Sequence, residues 1–261
     1  MPTTSQRHVV CLGDSLTRGQ VSVDYVKMLS TRDKGGSVTF TNAGVNGDLA
    51  LNALQRLDSV IDLRPDAVSV LIGTNDANAS LSEKNVRMMT RMKKLPMRPT
   101  VEWYRENLTA IVDRLTTETS ARIALLSLPI LGEELGSSSV QRSAEYSAVV
   151  KEIADARNVG YLPLHERQVA YIADGAFKPG IRFRDGRLLS ASAATQHFVL
   201  RRSFDSISRR RGLQLTTDLI HQNTWGATMI ADLIDQFLQQ ADDTTPTRPA
   251  KPRRELMCLV L

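Results

Sequence analysis

Two cysteines among 261 residues, Cys11 and Cys258, provide neither a disulfide framework nor a metal motif. Cys11 lies inside an apolar run, and Cys258 is close to the last residue. No apolar stretch reaches the roughly 20 residues that a membrane-crossing helix needs. The segment ahead of the first apolar run, residues 1–7, lacks the apolar centre of a secretory signal, so the expected setting is the cytosol. Zinc-finger, RRM and basic-zipper patterns are missing. The formal net charge of +5 therefore reads as solvated surface and not as a nucleic-acid footprint. It leans toward anionic partners such as phospholipid head groups. No set of His, Cys, Asp and Glu has zinc spacing, and no metal or organic cofactor is expected. The chain has no internal repeat.

What the chain does have is a regular alternation. Hydrophobic residues make up 42% and charged residues 23%, enough to build a buried core in a soluble domain. Short apolar runs occur at 8–12, 38–42, 67–72, 122–128 and 159–164. They are rich in Val, Ile and Leu with little polar alternation, which suits strands covered on both faces. Between them, apolar residues recur at helical spacing: Leu108, Ile111, Val112 and Leu115; Tyr146, Val149, Val150 and Ile153; Ile230, Leu233, Ile234 and Phe237. The alternation predicts an α/β fold, a three-layer α/β/α sandwich around a flavodoxin-like parallel sheet of about five strands. In such folds ligands sit beyond the carboxyl ends of the strands.

Two stretches exceed a minimal sheet-and-helix unit. Residues 77–100 carry the Lys-, Met- and Pro-containing segment RMKKLPMRP, and residues 175–215 carry Gly, Pro and Arg clusters. The second insertion reads either as a lid or as decoration. Residues 241–261 open with a Pro-, Thr- and charge-rich segment that cannot bury enough apolar area to order itself. The expected organisation is one domain over 1–240 and a disordered basic tail over 241–261.

Four pieces carry chemistry. Gly13-Asp14-Ser15-Leu16 directly follows the first strand, where a nucleophile would point into the cleft. Asn42-Ala43-Gly44-Val45-Asn46-Gly47-Asp48 follows the second, and Gly47 can present a bare backbone N–H. Gly73-Thr74-Asn75-Asp76 closes the third, and Asn75 can offer side-chain donors. Asp218-Leu219-Ile220-His221 precedes the last helix, and an Asp three residues before a His can accept the imidazole Nδ1–H. Each piece alone is also ordinary turn or capping chemistry. His8, His165 and His197 lack such a setting and read as structural or solvent-facing.

Together, in this chain order, the pieces resemble the SGNH hydrolase (GDSL-like lipase/esterase) family over roughly residues 8–240. The resemblance implies Ser15 as nucleophile, His221 as general base and then acid, and Asp218 as its orienting partner. It implies an oxyanion hole of Ser15 N–H, Gly47 N–H and the Asn75 side-chain amide. The residue after the histidine is often Pro in that family and is Gln222 here, at a position that mainly shapes the turn. The expected activity is cleavage of carboxylic esters through an acyl-enzyme on Ser15, with a small-molecule or lipid ester as substrate. A lysophospholipase or acyl-thioesterase is an alternative, and so is a non-catalytic, membrane-tethered binding protein on the same fold.

The last four residues, Cys258-Leu259-Val260-Leu261, match a prenylation signal. Arg248, Lys251, Arg253 and Arg254 lie just upstream, and one lipid plus a basic patch is a two-signal membrane anchor. Peripheral membrane association through Cys258 therefore stands beside coincidence with a short pattern.

Overall fold

Each apolar run becomes one strand of a single parallel sheet. A computed structural model describes residues 6–175, 178–183 and 187–240. The strands are β1 (Arg7–Gly13), β2 (Val38–Gly44), β3 (Ala67–Leu71), β4 (Arg122–Leu126) and β5 (Gly160–Leu162). Their order is β2-β1-β3-β4-β5, and all neighbours are parallel. The runs at 122–128 and 159–164 contribute fewer strand residues than their apolar length: the first ends in a loop after Leu126, and in the second Val159 precedes the strand and Leu164 begins the next helix.

The helices are α1 (Ser15–Arg18), α2 (Tyr25–Arg32), α3 (Ala50–Gln55), α4 (Asp58–Ile61), α5 (Thr74–Ala79), α6 (Glu83–Lys93), α7 (Val101–Glu118), α8 (Ser138–Arg157), α9 (Leu164–Ala173), α10 (Arg187–Phe198), α11 (Phe204–Arg210) and α12 (Thr224–Gln239). The three apolar stripes read from the sequence lie on α7, α8 and α12.

Successive strand residues point to opposite faces, and the core divides accordingly. Val10 and Leu12 of β1, with Val68 and Val70 of β3, pack under Leu108, Ile111 and Val112 of α7 and Val149 and Val150 of α8. Val9 and Cys11, with Ala67 and Leu71, pack under Val26 and Leu29 of α2 and Ile230 and Ile234 of α12. Burial of each large aliphatic side chain contributes about 1.5–3 kcal/mol, and Cys11 serves as one more apolar member. Burial pushes its thiol up to about 12, which keeps it un-ionised.

The register aligns the site. Gly13 pairs with Gly44 on one side and with Leu71 on the other, so β1, β2 and β3 end level. The chain leaves β1 for β2 on one side and returns to β3 on the other. The crevice between those two departures is where such sheets bind ligands.

Residues 77–100 hold the end of α5 and all of α6, and the described part of 175–215 holds α10 and α11. α10 and α11 pack through the His197 ring stacked on Phe204 at 4.0 Å. Arg211, just after α11, donates to Leu189 O of α10 and to Thr217 O at 2.7 Å. Among the described residues no helix is long and apolar enough to cross a membrane. The tail over 241–261, including Cys258, lies outside the described residues.

Candidate active site

Ser15 stands at the turn where β1 becomes α1. Asp14 caps that helix, its Oδ1 accepting the Leu16 N–H at 2.9 Å. Gly13 is needed for space and not for an unusual torsion. A Cβ there would sit 2.1 Å from Thr17 Oγ1 and 2.5 Å from Leu71 O. Any side chain would push β3 or α1 aside.

The loop before α12 brings the other partners to Ser15. Asp218 Oδ1 accepts the N–H groups of Ile220 (3.1 Å) and His221 (2.8 Å), folding the four-residue segment back on itself. Asp218 Oδ2 faces His221 Nδ1 at 2.8 Å, and His221 Nε2 lies 3.0 Å from Ser15 Oγ. A carboxylate only accepts, so Nδ1 carries the proton and Nε2 is left to accept from the serine hydroxyl. The fold costs some backbone strain: Leu219 adopts φ +73 without being glycine. Gly132 N–H holds that residue by donating to Leu219 O at 2.8 Å.

Asp218, His221 and Ser15 are all buried, at 1%, 8% and 7% exposure. Burial alone would lower the His221 pKa, but the Asp218 charge and hydrogen bond, helped by Asp14, raise it above its ordinary value. Burial likewise works to raise Asp218, and the His221 charge and hydrogen bond outweigh it, leaving that carboxyl below the usual range. The pair is therefore built to hold a proton on the imidazole.

Gly47 and Asn75 come to the same edge. Val45 N–H donates to Gly13 O (3.1 Å) and Asn75 Nδ2 to Asp48 O (3.0 Å), tying the β2–α3 turn between β1 and α5. Gly47 adopts φ +73. Among the described residues, neither the Ser15 N–H nor the Gly47 N–H has an acceptor. The Asn75 amide differs: its Nδ2 also donates to Asp14 Oδ2 at 3.2 Å, so both of its N–H groups are engaged. Burial pushes the Asp14 carboxyl up to about 7, against the Leu16 N–H and the nearby His221. Asp48 is held by Arg56, whose Nε lies 2.8 Å from Oδ2 and whose Nη2 donates to Gly13 O at 3.0 Å.

Several supporting residues carry no signal in the sequence. Glu133, 1% exposed, accepts the N–H groups of Gln214, Leu215 and Thr216 and the Thr216 hydroxyl, at 2.7–2.9 Å. It anchors the segment that leads into the Asp218 loop from more than 80 residues away. Gln222, the residue where Pro is frequent in the family that the motifs resemble, is fully buried. It receives N–H groups from Val23 and Gln168 and donates to Ser22 and Ile220. That network locks the turn as a proline would, by hydrogen bonds instead of a ring.

The other three histidines do not join the site. His8 Nε2 meets Thr41 Oγ1, His165 is buried in α9 with Nδ1 on Leu128 O, and His197 stacks in the α10–α11 pair. Among the described residues no cluster of His, Cys, Asp and Glu is arranged to hold a metal ion.

Comparison with known proteins agrees with the fold. The model of the GDSL-like Lipase/Acylhydrolase family matches residues 11–188. The match includes Ser15, Gly47 and Asn75 and stops short of Asp218 and His221. No curated protein matches the chain in sequence. Among solved structures, an acetyl xylan esterase superposes with TM-score 0.64 at 17% identity, covering 88% of this chain and 99% of that one. A lipase/acylhydrolase from Enterococcus faecalis gives 0.57 at 22% identity, covering 90% and 96%. An acetylxylan esterase from Geobacillus stearothermophilus gives 0.61 at 17%, covering 90% and 95%. At such identities the likeness concerns the fold.

Proposed function

Because the chain belongs to the GDSL-like lipase/acylhydrolase family, and is thus an esterase or acylhydrolase in the broad sense, we propose that it cleaves carboxylic esters through an acyl-enzyme formed on Ser15. The observation that carries the reading is the continuous relay Ser15 Oγ, His221 Nε2, His221 Nδ1 and Asp218 Oδ2, with contacts of 3.0 and 2.8 Å.

A serine hydroxyl is a weak nucleophile at neutral pH and needs a base within hydrogen-bond reach. His221 takes the proton as Ser15 Oγ attacks the carbonyl carbon. Asp218 stabilises the imidazolium that forms and keeps Nε2 aimed at the serine. The carbonyl oxygen, now an oxyanion, is received by the unshared N–H groups of Ser15 and Gly47. Asn75 becomes the third donor by giving up one of its contacts to Asp14 or Asp48. Asp14 is suited to that exchange, because burial pushes its carboxyl up to about 7 and its contact to the amide is the longer of the two, 3.2 against 3.0 Å. His221 then protonates the leaving alcohol. Water, activated by the same imidazole, releases the acid.

The ester is a small acyl one in this reading, which the acetyl xylan esterases among the structural neighbours favour. A lysophospholipase or acyl-thioesterase remains the second reading, supported by the net charge of +5. A panel of p-nitrophenyl esters from acetyl to long-chain acyl, with Ser15→Ala as blank, tests both. We expect highest kcat/KM on the shortest chains and none above background in Ser15→Ala. A maximum on long chains would replace the first reading with the second, and undiminished turnover by Ser15→Ala would remove the serine mechanism.

A further inference from the structure

The Gly47 N–H can serve an oxyanion only if its peptide plane is held. The amide is planar, so the Gly47 N–H and the Asn46 carbonyl point in opposite directions from one rigid unit. Gly47 has φ +73 and no side chain to restrain it. Whatever grips Asn46 O therefore decides where the Gly47 N–H points.

Lys93 is that grip. Its Nζ lies 3.4 Å from Asn46 O and 3.4 Å from Asp48 Oδ1, so a single ammonium bridges the turn on either side of Gly47. A Cβ built on Gly47 would find only the Cε and Nζ of Lys93 within 4 Å, each at 3.5 Å. The lysine side chain is only 21% exposed, whereas its neighbour Met92 is 50% exposed. It is the last residue of α6, held in place where Lys94 turns to φ +50 and Leu95 N–H returns to Thr90 O. Leu95 and Met89 pack with Leu49, the residue after Asp48. The segment 77–100, an addition to the minimal fold, thus reaches the oxyanion turn with one charged side chain.

Asp48 meets two cations, Arg56 on Oδ2 and Lys93 on Oδ1, so each of its oxygens is paired beside the place where negative charge develops. A cation on the Asn46 carbonyl further polarises the same peptide and strengthens its N–H as a donor.

We propose that Lys93 is the positioning residue of the oxyanion turn, fixing the Asn46–Gly47 peptide so that its N–H faces the acyl oxygen. The inference rests on the ester-hydrolase reading above. It acts through Gly47 in the transition state, where the oxygen is charged, and so affects kcat more than KM.

The test compares wild type, Lys93→Met, Lys93→Arg and Ser15→Ala on p-nitrophenyl acetate, with thermal melting of each. Met keeps the length and packing of the stem, and Arg keeps a cation that can reach Asn46 O. We expect Lys93→Met to lose about tenfold or more in kcat, with KM within about twofold and melting unchanged. Lys93→Arg recovers most of the rate. Wild-type kcat in Lys93→Met, with Ser15→Ala inactive, overturns this inference alone. A loss in Lys93→Met that tracks a lowered melting temperature and is not recovered by Arg also overturns it. If Ser15→Ala keeps full turnover, the serine mechanism itself falls and takes this proposal with it.

Discussion

His221 gains more from Asp218 and Asp14 together than it loses to burial, and this sets the pH behaviour of the site. The base must be neutral to accept the serine proton. Its pKa is raised above the ordinary 6.5, so the acidic limb of the rate profile falls above that value. The expected profile loses activity as pH drops through a point above 6.5, as read from kcat/KM of the free enzyme. A rate that is flat from neutrality down to about pH 5 contradicts the base assignment. On the proposed mechanism Asn75→Ala removes one oxyanion donor and should cost about 100- to 1,000-fold in kcat. A loss mainly in KM would show that Asn75 binds substrate and does not stabilise the charged oxygen. Ser15, His221 and Asp218, which the structure joins in one hydrogen-bonded relay, each sit in a short recognisable segment, as do Gly47 and Asn75. Two details were not legible in the sequence. Asn75 spends its donors on Asp14 and Asp48, and Gly13 is needed for contact with Thr17 and Leu71. The first depends on neighbours distant in sequence, and the second on one such neighbour, Leu71.

At the level of elements, the loops are held by carboxylates and amides that are not themselves in the cleft. Glu133 is the clearest case, with three backbone N–H groups and one hydroxyl converging on a buried side chain. Glu133→Ala leaves those donors buried without an acceptor, each at a cost of about 1–3 kcal/mol. We expect a lowered urea midpoint together with reduced kcat, because the unanchored segment leads into Asp218 and His221. An unchanged midpoint would show that water or another group replaces the carboxylate. The strands and long helices were readable because their periodicity is local: five apolar runs became β1 to β5, and three stripes became faces of α7, α8 and α12. α10 and α11 were not readable from Arg- and Gly-containing sequence. Their pairing depends on tertiary side-chain contacts such as His197 on Phe204 and Arg211 on Leu189 O. The anchoring by Glu133, the clamp by Lys93 and the Gln168–Gln222 bridge join residues 45 to 83 positions apart, beyond any local pattern.

Across the whole molecule, the level ends of β1, β2 and β3 turn separate motifs into one crevice, and the buried carboxylates beneath it make stability depend on pH. Burial pushes Asp14 and Asp76 each up to about 7, whereas in the unfolded chain they titrate near about 3.9. Between these values the folded form holds protons that the unfolded form has released. The stability from these two groups is thus fully present below about pH 4 and is lost as pH rises through about 7. Denaturant unfolding from about pH 5 to about pH 8 should show that decline, and Asp14→Asn with Asp76→Asn should flatten it. An identical slope in the variant would place the proton uptake elsewhere.

The account depends above all on Ser15 being the residue that forms the covalent bond, with His221 activating it. The most direct measurement is labelling of the full chain with a fluorophosphonate probe, followed by peptide mass spectrometry to locate the adduct. The account predicts a single adduct on Ser15, formed rapidly in wild type and slowed severely in His221→Ala. An adduct on another residue, or labelling of Ser15 at the wild-type rate without His221, would contradict it.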